Sequence, residues 1–328
     1  MRKIQTDVSE PVEVEEKNTY RPKTLDEYIG QERVKKAVKI AINSAKARNV
    51  VLEHILFYGP PGLGKTTLAN IIAEEMQAEI VTVVGGNIEK PGDVAGILCR
   101  LKENSILFVD EIHRMPKPCE EMFYSAMEDG FVCISVGVGE QAKQIKIELP
   151  PFTLIGATTN MGMMSAPLQD RFMMECKLDY YTDSELAEIV KSNADKMNME
   201  ITEEQAYSIA EASRETPRIA IRNLKMIRDY AYSEYDGYIT DDCVRNTFAL
   251  HGIRKDGIDE TDLQIFDILS SGKAVGLSTL SHTLGEDVRT IEEVKEPYLL
   301  RKQYISKTPK GRVLTEKGKL YCMSLTAS

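Results

Sequence analysis

The chain has 328 residues, and 41 Lys and Arg against 51 Asp and Glu leave a formal net charge of -10. With 42% hydrophobic and 28% charged residues it has the composition of two or three folded domains, which excludes a disordered or collagen-like polymer. No apolar run approaches the ~18 residues of a membrane span, and the acidic N-terminal stretch lacks the apolar segment of a secretory signal, so the cytoplasm is the expected location.

Residues 1–20 carry five carboxylates against Arg2, Lys3 and Lys17 and are expected to form a mobile acidic arm. Residues 21–30 then lead into a helix with Val34, Ala37, Val38 and Ala41 at helical spacing. From Val51 to about Leu178, apolar runs at 55–58, 80–84, 106–109 and 153–155 alternate with helical periods. That rhythm predicts a parallel sheet flanked by helices, in a large domain over 21–180. Residues 131–138 and 144–149 break it as two strands of a hairpin around Gly137 and Gly139.

Beyond Tyr181 the pattern turns helical. Thr182 and Glu185 form a capping box ahead of Leu186, Ile189, Val190, Ala194 and Met197. Thr202 to Gln205 starts a second helix, and Pro217 stands at the first position of a third. These define a small all-helical domain over 181–255, ending in a linker at 252–257. Over 256–328 the reading is three helices (260–270, 277–284 and 287–300) and two short strands (304–306 and 312–314), a winged helix-turn-helix. The expected fold class is therefore α/β: a P-loop parallel-sheet domain, a helical domain and a C-terminal winged helix.

Six cysteines (99, 119, 133, 176, 243 and 322) form no C-x-x-C pair, and the four histidines (54, 113, 251 and 282) have no ligand spacing with them. Reduced thiols are expected and a zinc site is not. No G-x-S-x-G elbow supports a hydrolase triad.

Gly59-Pro60-Pro61-Gly62-Leu63-Gly64-Lys65-Thr66 fits the phosphate-binding pattern G-x-x-x-x-G-K-[ST] between a strand and a helix. Its glycines let backbone N–H groups curl around phosphates, and the helix N-terminus adds positive potential. Lys65 is expected to reach the β/γ-phosphates and Thr66 to bind Mg²⁺, with Thr67 beside it. Asp110 and Glu111 end an apolar strand at the edge where ligands bind in open α/β sheets. Asp110 would hold Mg²⁺ and Glu111 would activate the attacking water. A third strand ends in Thr158, Thr159 and Asn160, one of which could bond the γ-phosphate or the water. Read alone, Arg171 is a structural ion pair with a nearby carboxylate. Arg218, a cation in the first turn of the Pro217 helix, opposes the helix dipole unless a polyphosphate faces it.

Together these segments resemble the RuvB family, Holliday-junction branch-migration ATPases of the AAA+ class. The resemblance rests on residues 21–31, 58–68, 109–114, 126–129, 149–159 and 216–220, and runs from about residue 20 to the end. It implies ATP and Mg²⁺ as cofactors and a homo-hexameric ring driving duplex arms through a junction. It places a sensor threonine on Thr159, an arginine finger acting on the neighbouring subunit on Arg171, and a second sensor on Arg218. Nucleotide contacts fall on Tyr20, Arg21 and Tyr181, and on Glu128, Asp129 and Gly130. The 131–149 hairpin resembles the one that docks RuvA, and RuvC is a possible further partner. Asn160 and Gln169 stand where the family usually has Arg, and Glu215 where it has Gly.

An acidic chain does not coat DNA broadly. Residues 295–320 nevertheless hold eight cations against Glu296 and Glu316, and they include the wing. The wing residues Lys307, Lys310 and Arg312 are the expected DNA contacts, the resemblance pointing to Lys307 and Arg312. Acidic residues at 287, 292, 293 and 296 of the third helix argue for backbone contact with little base reading. The competing readings are a nucleotide-switched DNA-binding ring with little productive turnover and a clamp-loader-like ATPase subunit.

Overall fold

The computed structural model describes residues 20–136 and 143–326, so the acidic arm before Tyr20 and the expected hairpin turn lie outside the described residues. The chain forms two compact units. One runs to Met197 and includes Thr216–Arg218; the other comprises Asn198–Glu215 and the chain from Ile219.

In the first unit, helix α1 (Glu32–Arg48) buries Val34, Val38, Ile42 and Ala45 on one face. Strands β1 (Ile55–Tyr58), β2 (Ile80–Val84), β3 (Ser105–Asp110), β6 (Phe152–Thr158) and β7 (Met174–Lys177) form one sheet in the order β2-β3-β6-β1-β7. Every neighbouring pair is parallel. Helices α2 (Lys65–Met76), α3 (Pro91–Leu98) and α4 (Lys117–Glu128) connect them. All seven residues of β6 are buried, as an unbroken apolar run on a central parallel strand requires. Leu56, Leu107, Val109, Leu154, Phe123 and Phe172 join one core. The register pairs Tyr58 with Thr158 and Val84 with Asp110, so the C-terminal ends of the strands share one edge.

The expected hairpin is present as β4 (Phe131–Val136) and β5 (Lys143–Glu148), antiparallel, with Val132 opposite Ile147. Val132 is fully buried, whereas Ile145 is 46% exposed. A short helix α5 (Ala166–Gln169) precedes β7, and helix α6 (Asp183–Lys196) closes this unit with the Thr182–Glu185 capping box in place. Strand β7 escaped the sequence reading because it is an edge strand of four residues with only Cys176 buried.

The second unit holds helices α7 (Glu203–Glu211), α8 (Pro217–Glu234, from Ile219 on) and α9 (Asp241–Leu250). It continues through α10 (Glu260–Leu269), α11 (Leu277–Leu284), α12 (Glu296–Arg301), strands β8 (Ile305–Thr308) and β9 (Gly311–Leu314), and α13 (Glu316–Thr326). Phe266, Leu280, Ile291, Tyr298, Leu299 and Leu314 pack as its winged-helix core. The third helix of the motif is not one α-helix. Residues Thr290–Lys295 form a wide π turn before α12, with Pro297 in the first turn that follows. Proline lacks an N–H and its ring crowds the carbonyl four residues back, so the helix widens ahead of it.

Candidate functional site

The loop at 59–64 leaves β1 and enters α2 at Lys65. Gly59, Gly62 and Gly64 have φ of 139, 82 and 101°, which side-chain-bearing residues rarely adopt. A Cβ on Gly64 would also lie 2.3 Å from the Tyr28 hydroxyl. That hydroxyl donates to the Leu63 carbonyl (3.1 Å) and accepts from the Tyr181 hydroxyl (3.0 Å). Both tyrosines are buried, and burial pushes both phenols above their ordinary range, so they remain neutral donors. Two tyrosines thus brace the loop from below. The resemblance implies a nucleotide contact at Tyr181, while nothing in the sequence points to Tyr28.

Lys65 is buried at the start of α2, and its ammonium donates to the carbonyls of Gly59 (2.7 Å) and Pro60 (2.9 Å). Burial lowers its pKa, opposed by Glu111 and Asp110. Asp110 is shifted upward by burial first and by the Glu111 charge second. Lys65, Asp110, Glu111 and Arg218 are therefore close enough to act on one another electrostatically. Arg218 closes the group through its backbone N–H, which donates to the Gly62 carbonyl at 3.4 Å.

Glu111 sits one residue past β3 at φ 50°. Its carboxylate accepts from the Thr159 hydroxyl (2.9 Å) and the Thr159 N–H (3.4 Å), and lies 3.3 Å from His113 Nδ1. Of the three polar residues ending β6, Thr159 is thus the one that touches the acid. Thr158 instead bonds His113 Nδ1 at 2.8 Å. His113 carried no role in the sequence reading; nothing in its spacing shows that it bridges two strand ends.

These residues suit a polyphosphate with a divalent cation. The cradle admits no side chain at its glycines. Lys65 donates to loop carbonyls that phosphate oxygens could replace. Asp110 is a half-buried carboxylate whose charge a cation would relieve, and half-buried Thr66 lies next to Lys65 in the first turn of α2. Among the described residues no cluster of His, Cys, Asp and Glu resembles a zinc site, and no helix is long and apolar enough to cross a membrane.

Other expected residues lie elsewhere. Tyr20 is half-buried, its carbonyl 3.5 Å from the Lys196 ammonium, while Arg21 is exposed. Arg171 donates to Glu128 (2.7 Å) and to the carbonyls of Pro167 (2.6 Å) and Tyr124 (3.3 Å), with its guanidinium 4.6 Å from the Tyr124 ring centroid. None of these partners belongs to the phosphate loop. Glu128 is thus grouped with Arg171, beside exposed Asp129 and the turn residue Gly130, φ 68°. Gln169 uses its amide to staple the methionine-rich loop, donating to Met161 (3.1 Å) and Met164 (3.0 Å).

In the second unit, the basic stretch differs from the open charged face expected. Glu296, 1% exposed, takes a bidentate pair from Arg312 and a 2.9 Å contact from Lys307. Burial alone would raise its pKa, but the bonds from Arg312 and Lys307 hold it below the usual carboxylate range. Lys295 pairs with Asp259, Arg301 and Lys302 with Glu215, and Lys319 with Glu316. Lys310, at the tip of the wing, has no ion-pair partner among the described residues and is exposed. Arg312 also anchors Glu296, and its removal would leave that carboxylate buried and underpaired at about 3–5 kcal/mol. Lys307→Ala with Lys310→Ala is the cleaner wing variant, because Glu296 loses its Lys307 contact but keeps the bidentate Arg312 pair. It should weaken duplex binding equally on unrelated sequences and flatten the log-affinity against log-salt slope by roughly 1.8, at about 0.9 per lost phosphate contact. A salt titration on two duplexes checks this, and an unchanged slope removes the wing tip from the DNA interface.

Three family models match the chain in succession. They are the Holliday junction DNA helicase RuvB P-loop domain at 20–178, the RuvB AAA lid domain at 181–254 and the RuvB C-terminal winged helix domain at 255–322. The Holliday junction branch migration complex subunit RuvB of Fusobacterium nucleatum is 48% identical over 321 residues, covering 97% of each chain. That of Campylobacter fetus is 51% identical over 301 residues, covering 92% of this chain and 88% of its own. The solved Thermotoga maritima RuvB Holliday junction branch migration motor superposes with a TM-score of 0.82 at 44% identity, over 93% of this chain and 99% of the other. On sequence, fold and site geometry together, the chain belongs to the RuvB family.

Proposed function

We propose that this chain is the ATP-driven motor subunit of a Holliday junction branch migration complex, working as a homo-hexameric ring in the cytoplasm. The observation that carries the reading is an intact phosphate loop facing a strand-end acid, Glu111, whose carboxylate is already aimed by Thr159 at 2.9 Å. A protein that only switched on nucleotide binding would have no use for an oriented base. The winged helix matched at 255–322 favours DNA translocation over clamp loading.

ATP with Mg²⁺ supplies the phosphoanhydride bond and neutralises charge on its oxygens. Lys65 exchanges the Gly59 and Pro60 carbonyls for phosphate oxygens, and the braced loop presents its N–H groups without rearrangement. Thr66 and Asp110 would hold the cation. Glu111 Oε2 takes a proton from the attacking water while Thr159 keeps that oxygen in place. Arg218 adds positive charge in cis and Arg171 in trans, with Glu128, Asp129 and Gly130 beside Arg171 at the subunit boundary. Tyr20, Arg21 and Tyr181 line the nucleotide's base side. The domain limits we assign are 21–180, 181–255 and 256–328.

RuvA is the proposed partner of the β4–β5 hairpin, as the family resemblance implies; on β5, Ile147 packs on the core while Ile145 is exposed. RuvC would join the same assembly at the junction. The test is ATP-dependent migration of a synthetic four-way junction with RuvA added or omitted, alongside steady-state ATPase with and without DNA. DNA-stimulated turnover supports the motor. ATP-dependent ring assembly on DNA with no stimulated turnover supports the switch.

A further inference from the structure

Arg214 and Glu215 are consecutive non-glycine residues with φ of 50 and 61°. Such left-handed pairs persist only where the surroundings hold them. Among the described residues, the ion-pair partners that hold them come from the linker and winged-helix segment. Arg214 Nε donates to the Gly257 carbonyl (2.7 Å), and its Nη2 pairs with Asp259 (2.9 Å) and with the fully buried Asp262. The Glu215 carboxylate is gripped twice, by Arg301 Nε (2.6 Å) and by Lys302 Nζ (2.6 Å). Arg301 also donates to the Arg214 carbonyl (3.3 Å). The three cations lie 5.2, 5.5 and 5.8 Å from the ring centroid of buried Tyr298 on α12. One residue after Glu215 the chain passes into Thr216–Arg218, which belongs to the nucleotide unit.

We propose that Glu215 is a coupling residue: it locks the winged helix to the backbone elbow that leads into Arg218, so that a nucleotide-driven shift of Arg218 is delivered to DNA. The position explains its own chemistry. A φ of 61° is the conformation that suits glycine, and this chain accepts that conformation with a side chain in order to add two ion pairs. Without the carboxylate, Arg301 and Lys302 would lose this shared ion-pair partner, and the elbow would transmit less of the motion made beside it. Glu215 touches neither the phosphate loop nor the wing strands, so its loss should spare both ATP turnover and duplex affinity.

The proposal rests on the motor reading, and its test separates the two. Glu215→Gly keeps the backbone conformation free of strain, so the variant folds. On the full chain, with RuvA and a four-way junction, ATP turned over and junction migrated are measured together. The expected result is a wild-type ATPase rate with migration per ATP reduced about tenfold, within the usual range of inter-site coupling. Glu215→Arg combined with Arg301→Glu should recover much of the loss, because reversing the pair restores the contact. Wild-type migration per ATP in Glu215→Gly overturns the proposal. So does a parallel fall in ATPase and melting temperature, which marks a merely structural role. If the wild-type chain itself migrates nothing, the motor reading fails instead.

Discussion

Glu111→Gln is expected to bind ATP normally, to lower turnover by about 10²–10⁴-fold and to leave a stable ring on DNA. Glu111 stands just past β3 in a left-handed conformation, φ 50°, that turns its side chain back toward the end of β6. There the Thr159 hydroxyl and N–H fix one carboxylate oxygen. Glutamine has the same shape, and its amide oxygen can accept the same bonds, so the site should keep its form and lose only its base. Filter binding of ATP and steady-state phosphate release check the two halves. Turnover at the wild-type rate would show that Glu111 is not the base.

Arg171→Ala is expected to reduce hydrolysis by ~10³–10⁵ with nucleotide affinity nearly intact, the usual worth of an arginine finger. Within its own chain Arg171 pairs with Glu128, which is 63% exposed, and leans on the Tyr124 ring. An exposed pair of that kind stabilises by ~0–1 kcal/mol, too little to account for a large catalytic loss through unfolding. Mixing Arg171→Ala with Lys65→Ala should restore part of the activity, because some interfaces then join an intact loop to an intact finger. No rescue at any ratio, together with a lowered melting temperature, would make Arg171 a structural cation acting in its own chain.

The sheet was legible because its central strands are buried on both faces and read as unbroken apolar runs, as at Ile55–Tyr58 and 106–109. The phosphate loop was legible because only glycine tolerates its backbone. Helix starts at Thr182 and Thr202 were legible from local hydrogen-bond chemistry, and both capping boxes are present. What the sequence hid depends on contacts between distant residues. Tyr28 and Tyr181 meet over 153 residues of chain to brace Leu63, and no spacing rule reveals that. The basic C-terminal stretch suggested open charge, yet Glu296 and Glu215 together engage four of its cations. Helix α13 went unread because its apolar residues run consecutively at 320–323 rather than at helical spacing, and Leu320 and Met323 face solvent. Glu215 reads in sequence as a misplaced acid; its two partners lie some 86 residues away and are known only from the fold.

The central claim is that ATP turnover at this site moves a DNA junction. The direct measurement is the rate at which a synthetic four-way junction with heterologous arm ends is resolved into duplexes, with RuvA and ATP present, for the wild type beside Glu111→Gln. Resolution by the wild type should stop when ATP is replaced by a non-hydrolysable analogue, and Glu111→Gln should show none although it still binds the junction. Equal resolution by both proteins, or by the wild type with the analogue, would contradict that claim.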